Sequence, residues 1–139
     1  MAQQWAKGIA PGAATPQADQ ATPTPVPLPE FLILVDMIGD ADQQIYMERN
    51  SSPELTRKLW TLAADLDYSD FFIPEYKWQM TDDHTPFLAE GIEAVDIIDF
   101  DYPFWHTVQD TADKVAPESL ERVGRVLETF LERQDWVDR

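Results

Sequence analysis

The sequence predicts a three-layer α/β fold around a mostly parallel mixed sheet, from two buried-strand patterns and two helical patterns that alternate with them. FLILVDMIG (31–39) and AVDIIDF (94–100) are nearly unbroken apolar runs without helical period, as expected of strands covered on both faces. A helix beginning at Pro53 and another beginning near Pro117 supply the covering layers.

Taken in order, residues 8–30 are proline-rich and carry only two charged side chains, which predicts an extended linker or surface loop over residues 1–30. Residues 31–139 then form the α/β part. Upstream, Gln3 to Lys7 reads as the tail of a helix closed by Gly8. After the first strand and the turn GDAD, Gln44 to Glu48 alternates as a short strand. Ser52 and Pro53 supply an N-cap and first helical residue for a helix to about Leu66, with Leu55, Leu59, Trp60, Leu62, Ala63 and Leu66 on its inner face. FFIPE (71–75) predicts a short edge strand, because Pro74 cannot donate to a central ladder. The last helix should bury Leu120, Val123, Leu127, Phe130 and Leu131, with Glu118–Arg122 and Glu121–Arg125 as outward pairs.

Charge narrows the partners. Ten Lys and Arg stand against twenty-six Asp and Glu, giving a net charge of −16 that repels a phosphate backbone or an anionic membrane surface. Nucleic acid is therefore not expected as a partner. Between Thr81 and Asp113 there are nine carboxylates and no Lys or Arg, which favours a cation or a protonated amine, or else is a solvated acidic face. There is no cysteine, so any metal must be held by His, carboxylate or water. No apolar run approaches the length of a membrane span, and MAQQWAKG lacks a signal-peptide core.

In an open α/β sheet, ligands gather where the C-terminal ends of the strands meet the loops. Asp36 lies there, in a run whose burial would make an unpaired carboxylate costly; the alternative is a strand ending at Val35 with Asp36 capping a turn. His106 follows Trp105 in a loop crowded with Phe100, Tyr102 and Phe104, which fits either a shielded imidazole ligand or aromatic packing. In DDHTPF (82–87), Asp82 or Asp83 fits an N-cap, and His84 fits a histidine whose hydrogen bonds fix the loop. Two histidines at these spacings match no short metal motif.

LVDMIGD (34–40), TDDHTPFLAEGI (81–92) and IDFDYPFWHTVQDTADKVAPESLERVG (98–124) together resemble the glutaminyl-peptide cyclotransferases of the zinc-dependent aminopeptidase superfamily. The resemblance runs from about Phe31 to Leu131 and implies the C-terminal part, hence an incomplete version, of a zinc-exopeptidase-like domain. It implies conversion of an N-terminal glutaminyl residue to pyroglutamyl with loss of ammonia, zinc polarising the side-chain amide. It further implies His106 as a zinc ligand, Trp105 and Phe104 as the substrate wall, and Asp36 in a hydrogen-bond network with Asp82. In two-metal aminopeptidases the residue matching Asp36 is a metal ligand instead, and Ser-Asp-His is more frequent where this chain has Asp82, Asp83 and His84.

The family's proton-shuttling glutamate beside a zinc-ligating glutamate has no match in this chain. The resemblance places that pair, with a further aspartate ligand, upstream of the segment like QQWAKG. The expectation is therefore a polypeptide inactive by itself, with an incomplete zinc site. Peptide or protein N-termini are the implied substrates, and the missing half or another chain would complete the sheet. A metal-dependent aminopeptidase segment and a non-catalytic binding module are the rival readings.

Overall fold

The computed structural model describes residues 27–134 and Trp136. The helical tail before Gly8 and most of the proline-rich segment lie outside these residues; Pro27 to Glu30 are exposed and irregular.

Strands β1 (Phe31–Asp36) and β4 (Glu93–Ile98) pair in parallel, with Leu34 opposite Asp96 and Asp36 opposite Ile98. Strands β2 (Ile45–Met47) and β3 (Phe72–Tyr76) form a second parallel pair. The register slips between Tyr46 and Met47, opposite the stretch of β3 containing Pro74, which has no N–H to give to a ladder. The edge placement expected for that segment holds. Among the described residues the one antiparallel contact is the isolated bridge Asp40–Val115. The mostly parallel sheet is thus two short parallel pairs, joined through side-chain and backbone hydrogen bonds. Asp96 N donates to Ser51 Oγ at 2.9 Å, Ser52 N to the Ala94 carbonyl at 2.7 Å, and Gln44 N to Asp99 Oδ2 at 2.8 Å.

Three helices cover these strands: α1 (Pro53–Asp65), α2 (Thr85–Ala89) and α3 (Pro117–Arg133). Proline at the first turn of each fits φ near −65° and a position where no N–H is needed. Ser52 sits at the N-cap of α1 but does not cap it, because its Oγ accepts from Ala94 N at 3.0 Å instead. The helix start is thereby tied to β4.

Alternation along β4 sorts the layers. Val95 and Ile97 join Leu55, Leu59, Trp60, Phe72, Val123, Val126 and Phe130 in the core beneath α1 and α3. Ala94, Asp96 and Ile98 point the opposite way, and they are buried as well. Registered neighbours in a parallel pair share a face, so Asp36 projects on the same side as Asp96.

Two expectations about burial are corrected. The first apolar run is only half-buried, with Val35 41% exposed; β4 is the covered strand, because α1, α2 and β2 pack on it besides β1. In α3 the buried positions are Ser119, Val123, Val126 and Phe130, while Leu120 and Leu131 are about half exposed. Val123 and Phe130 keep their inward places and Leu127 packs partly buried against the core, while the stripe shifts toward Val126 and Ser119, whose hydroxyl donates to the Asp40 carbonyl at 2.6 Å. Arg122 accordingly leaves Glu118, donating to Gln43 Oε1 at 2.9 Å and lying 3.7 Å from the Phe71 ring centre; Arg125 pairs with Glu128, not Glu121.

Lys77, just beyond β3, donates to both carboxylate oxygens of Asp101 at 2.8 Å and lies over the Tyr46 and Trp78 rings. Both partners are partly solvated, so Lys77→Ala should cost about 1 kcal/mol or less in chemical denaturation. A loss several times larger would mean that this pair organises the loop after β4.

Candidate active site

The loops after β1 and β4 leave the same end of the parallel pair. Each contains a non-glycine residue with left-handed backbone, Met37 at φ 52° and His106 at φ 57°. Such a conformation costs an L-residue about 1–2 kcal/mol. Asp67 and Gln134 share it, but they terminate α1 and α3, where left-handed residues are ordinary. Met37 and His106 end no helix. Their strain re-aims the chain directly after Asp36 and directly after Trp105.

Between these loops lies a cleft of about 160 Å³ lined by Met37, Gly39, Asp40, Tyr102, Trp105, Asp110 and Val115. Trp105 is 47% exposed and packs edge-on against Phe100, while the His106 imidazole stacks on its indole at 4.0 Å. Phe104 turns aside: it packs on Tyr102 at 5.5 Å, with Lys114 Nζ 4.9 Å from its ring centre. Trp105 thus walls the cleft and Phe104 braces it from behind. The Tyr102 hydroxyl donates to Asp110 at 2.6 Å, and this hydrogen bond pushes its pKa up to about 12, so it stays a donor throughout the neutral range.

On the sheet face shared by Asp36 and Asp96 lies a buried polar group that the sequence did not single out. His84, Glu48 and Asp96 are each fully buried. His84 Nε2 is 3.3 Å from Glu48 Oε2 and Nδ1 is 3.9 Å from Asp96 Oδ2. The expected hydrogen-bonded loop histidine is therefore corrected to an imidazole wedged between two carboxylates, and neither ring nitrogen makes a hydrogen bond. Glu48 also accepts from Asn50 N, Ser51 N, Ser51 Oγ and Met80 N at 2.7–2.9 Å.

Asp82 and Asp36 enter through Asp96, whose carboxyl is raised to about 7, first by burial and then by the negative charges of Asp82, Glu48 and Asp36. The two candidate acids, on separate elements, thus both bear electrostatically on the buried Asp96 carboxyl. Asp82 does not cap α2: His84 holds the N-cap position, Asp82 Oδ1 accepts from Asp83 N at 2.8 Å, and Asp82 N donates to Thr85 Oγ1 at 3.1 Å. Asp99, fully buried at the end of β4, is raised to about 6 by burial, against the lowering effect of its hydrogen bond from Gln44 N.

Among the described residues, no group of three His, Cys, Asp or Glu side chains is placed to hold a metal ion. His106 presents an exposed imidazole of suitable chemistry, but one donor falls short of the three protein ligands zinc normally takes. The residues described here do not by themselves fit a zinc ion. Also among them, no helix is long and apolar enough to cross a membrane.

Parallel strands with helical cover, and acids, an imidazole and aromatic rings at the strands' C-terminal ends, define an α/β domain of the kind that binds its ligands at those ends. The sequence model of peptidase family M28 matches residues 9–131, and the chain belongs to that family. It is 25% identical over 112 residues to the glutaminyl-peptide cyclotransferase of Dictyostelium discoideum, covering 73% of this chain and 31% of that protein. To the mouse glutaminyl-peptide cyclotransferase-like protein it is 25% identical over 121 residues, covering 78% and 32%. The chain thus spans about a third of the length of these relatives. Among solved structures, Porphyromonas gingivalis glutaminyl cyclase superposes with a TM-score of 0.71 at 32% identity, covering 76% of this chain and 42% of that one. A leucine aminopeptidase precursor from Bacteroides thetaiotaomicron superposes at 0.66 with 31% identity, covering 70% and 36%.

Proposed function

We propose that this chain provides the acid pair Asp36 and Asp82, the Trp105 wall and the His106 donor of a glutaminyl-cyclase-type site. In that reaction the α-amine nitrogen of an N-terminal glutamine bonds to its own side-chain carbonyl carbon. The carbon–nitrogen bond of the amide breaks, and a proton passes from the attacking amine to the departing ammonia. The observation that supports this reading is that Asp36 shares the sheet face of Asp96 and, like Asp82, bears electrostatically on it, at the strand ends from which the Trp105–His106 loop also departs. Carboxylates there accept hydrogen bonds from the substrate amine, and the indole excludes water from one side of it.

The reading requires further residues for zinc and for proton transfer, so the 139-residue chain alone is inactive and the substrate is turned over only when the remaining family segment is present. The half-exposed β1 edge is where that segment, or another chain, would add its strand. The aminopeptidase reading differs in making Asp36 a metal ligand.

The test joins this chain, covalently or as a separate polypeptide, to an upstream segment from a family member and supplies a glutamine-initiated peptide. Ammonia together with a blocked N-terminus is expected, lost on His106→Ala. Release of free glutamine would establish the aminopeptidase alternative, and no turnover with a correctly assembled, zinc-loaded product would leave a binding module.

A further inference from the structure

Trp105 stands half exposed in a loop, so whatever holds it in place lies at the loop's attachments to the body. At the far end, Ala41 N donates to the Lys114 carbonyl at 2.9 Å and Ala116 N to the Gly39 carbonyl at 3.0 Å, well along the chain from Trp105. Between the ends, the hydrogen bonds from Thr107 N to the Phe104 carbonyl and from Asp110 N to the Thr107 carbonyl run within the loop and shape it without tying it to the sheet. At the near end stands Phe100, two residues past β4. Its ring meets the Trp105 indole edge-on at 5.2 Å and the Trp78 indole edge-on, also at 5.2 Å.

Trp78 belongs to a different part of the chain, the stretch that leaves β3. Its carbonyl accepts from Arg49 N at 2.8 Å, just past β2, and Lys77 Nζ lies 5.0 Å from its ring centre. Its Nε1 is buried with no acceptor, so no hydrogen bond orients this indole; its ring contacts do. The ion pair of Lys77 with Asp101 spans the same gap but is partly solvated, and water competes for both charges. Water does not compete for an edge-to-face ring contact, which also favours particular ring orientations.

We propose that Trp78 and Phe100 form an aromatic prop that sets where the Trp105 wall and the His106 imidazole stand. The rings run in file from Trp78 through Phe100 to Trp105, with His106 stacked on the last at 4.0 Å. Neither Trp78 nor Phe100 lines the cleft; both are positioning residues that act through Trp105. The bearing of the prop on turnover rests on the proposed reading of Trp105 as the substrate wall, whereas the prop itself is a property of the chain that is measured without any reaction.

Nuclear magnetic resonance on the intact 139-residue chain reads the prop directly. The Trp105 indole N–H, though its side chain is half exposed, should be as ordered as that of buried Trp60, whose Nε1 donates to the Ile73 carbonyl, with order parameters of about 0.85 for both. Trp78→Leu and Phe100→Leu keep apolar bulk but lose the ring, and each should bring the Trp105 indole below about 0.6. Trp78→Phe, which keeps a ring and removes the orphaned donor, should leave it ordered. Leu55→Ala opens a cavity in the core beneath α1, and should lower stability without loosening Trp105. With the upstream family segment joined, the two leucine variants should raise KM for a glutamine-initiated peptide about two- to tenfold, the range of one edge-to-face ring pair, with kcat changing less than about twofold.

A Trp105 indole already mobile in the unaltered chain, one that stays ordered in both leucine variants, or one that loosens equally in Leu55→Ala would overturn the prop whatever the reaction. Should the leucine variants fail to fold, the order of Trp105 in the unaltered chain and in Trp78→Phe decides. A loosened Trp105 with unchanged KM would overturn its positioning role. An assembled enzyme without turnover defeats the catalytic reading alone, and the order parameters still decide the prop.

Discussion

Phe130→Ala is expected to destabilise the chain by about 3–5 kcal/mol, a large share of the roughly 5–15 kcal/mol that holds a domain folded. Phe130 is fully buried on the inner face of α3, where it meets the Phe31 ring edge-on at 5.8 Å and the Trp136 ring at 5.6 Å. Through this ring contact the last helix touches the half-covered strand β1. Removing the ring therefore opens a cavity and unseats β1, which is hydrogen-bonded to a strand on one side only among the described residues. Denaturant unfolding followed by circular dichroism measures the loss. A cost below about 1 kcal/mol would mean that α3 is not what anchors β1.

Glu48→Ala should cost a similar amount, about 3–5 kcal/mol, by a different route. The side chain is buried and gathers three backbone N–H groups, the Ser51 hydroxyl and the His84 edge around one carboxylate. Alanine leaves these donors buried without an acceptor, and each unsatisfied group adds a desolvation penalty. Because Met80 N and His84 belong to the segment leading into α2, the damage should concentrate there. Hydrogen exchange ought to show residues 80–88 opening first, while the core under α1 retains protection. Uniform loss across the molecule would show that Glu48 supports the whole fold and not the approach to α2.

The element order was legible because each element advertises itself locally. Pro53 and Pro117 open helices, Pro74 marks an edge, and the two apolar runs have no helical period. His84 was misjudged for a physical reason: an isolated histidine in a polar turn usually meets solvent and backbone, and nothing within TDDHTPF shows that Glu48 and Asp96 close over it from other elements. A signal was available in Asp96, an acid in the middle of an apolar strand, which the reading passed over in favour of Asp36. The helical stripe of α3 was misplaced because Ser119 counts as polar in any pattern, whereas its hydroxyl finds a carbonyl in the interior.

By itself the sequence determined the α/β class, the family through its DDH and WHT segments, the acidic character, and the candidacy of Asp36, Asp82, Trp105 and His106. These rest on residue type and spacing, which survive without coordinates. Only the tertiary structure decided which acids share a face and that Phe104 braces the cleft while Trp105 lines it. It also decided that, among the described residues, the buried carboxylate without donors is Asp96. Strand register and solvent exclusion are set by contacts between segments far apart in the chain, and the energetics of a buried charge depend on both.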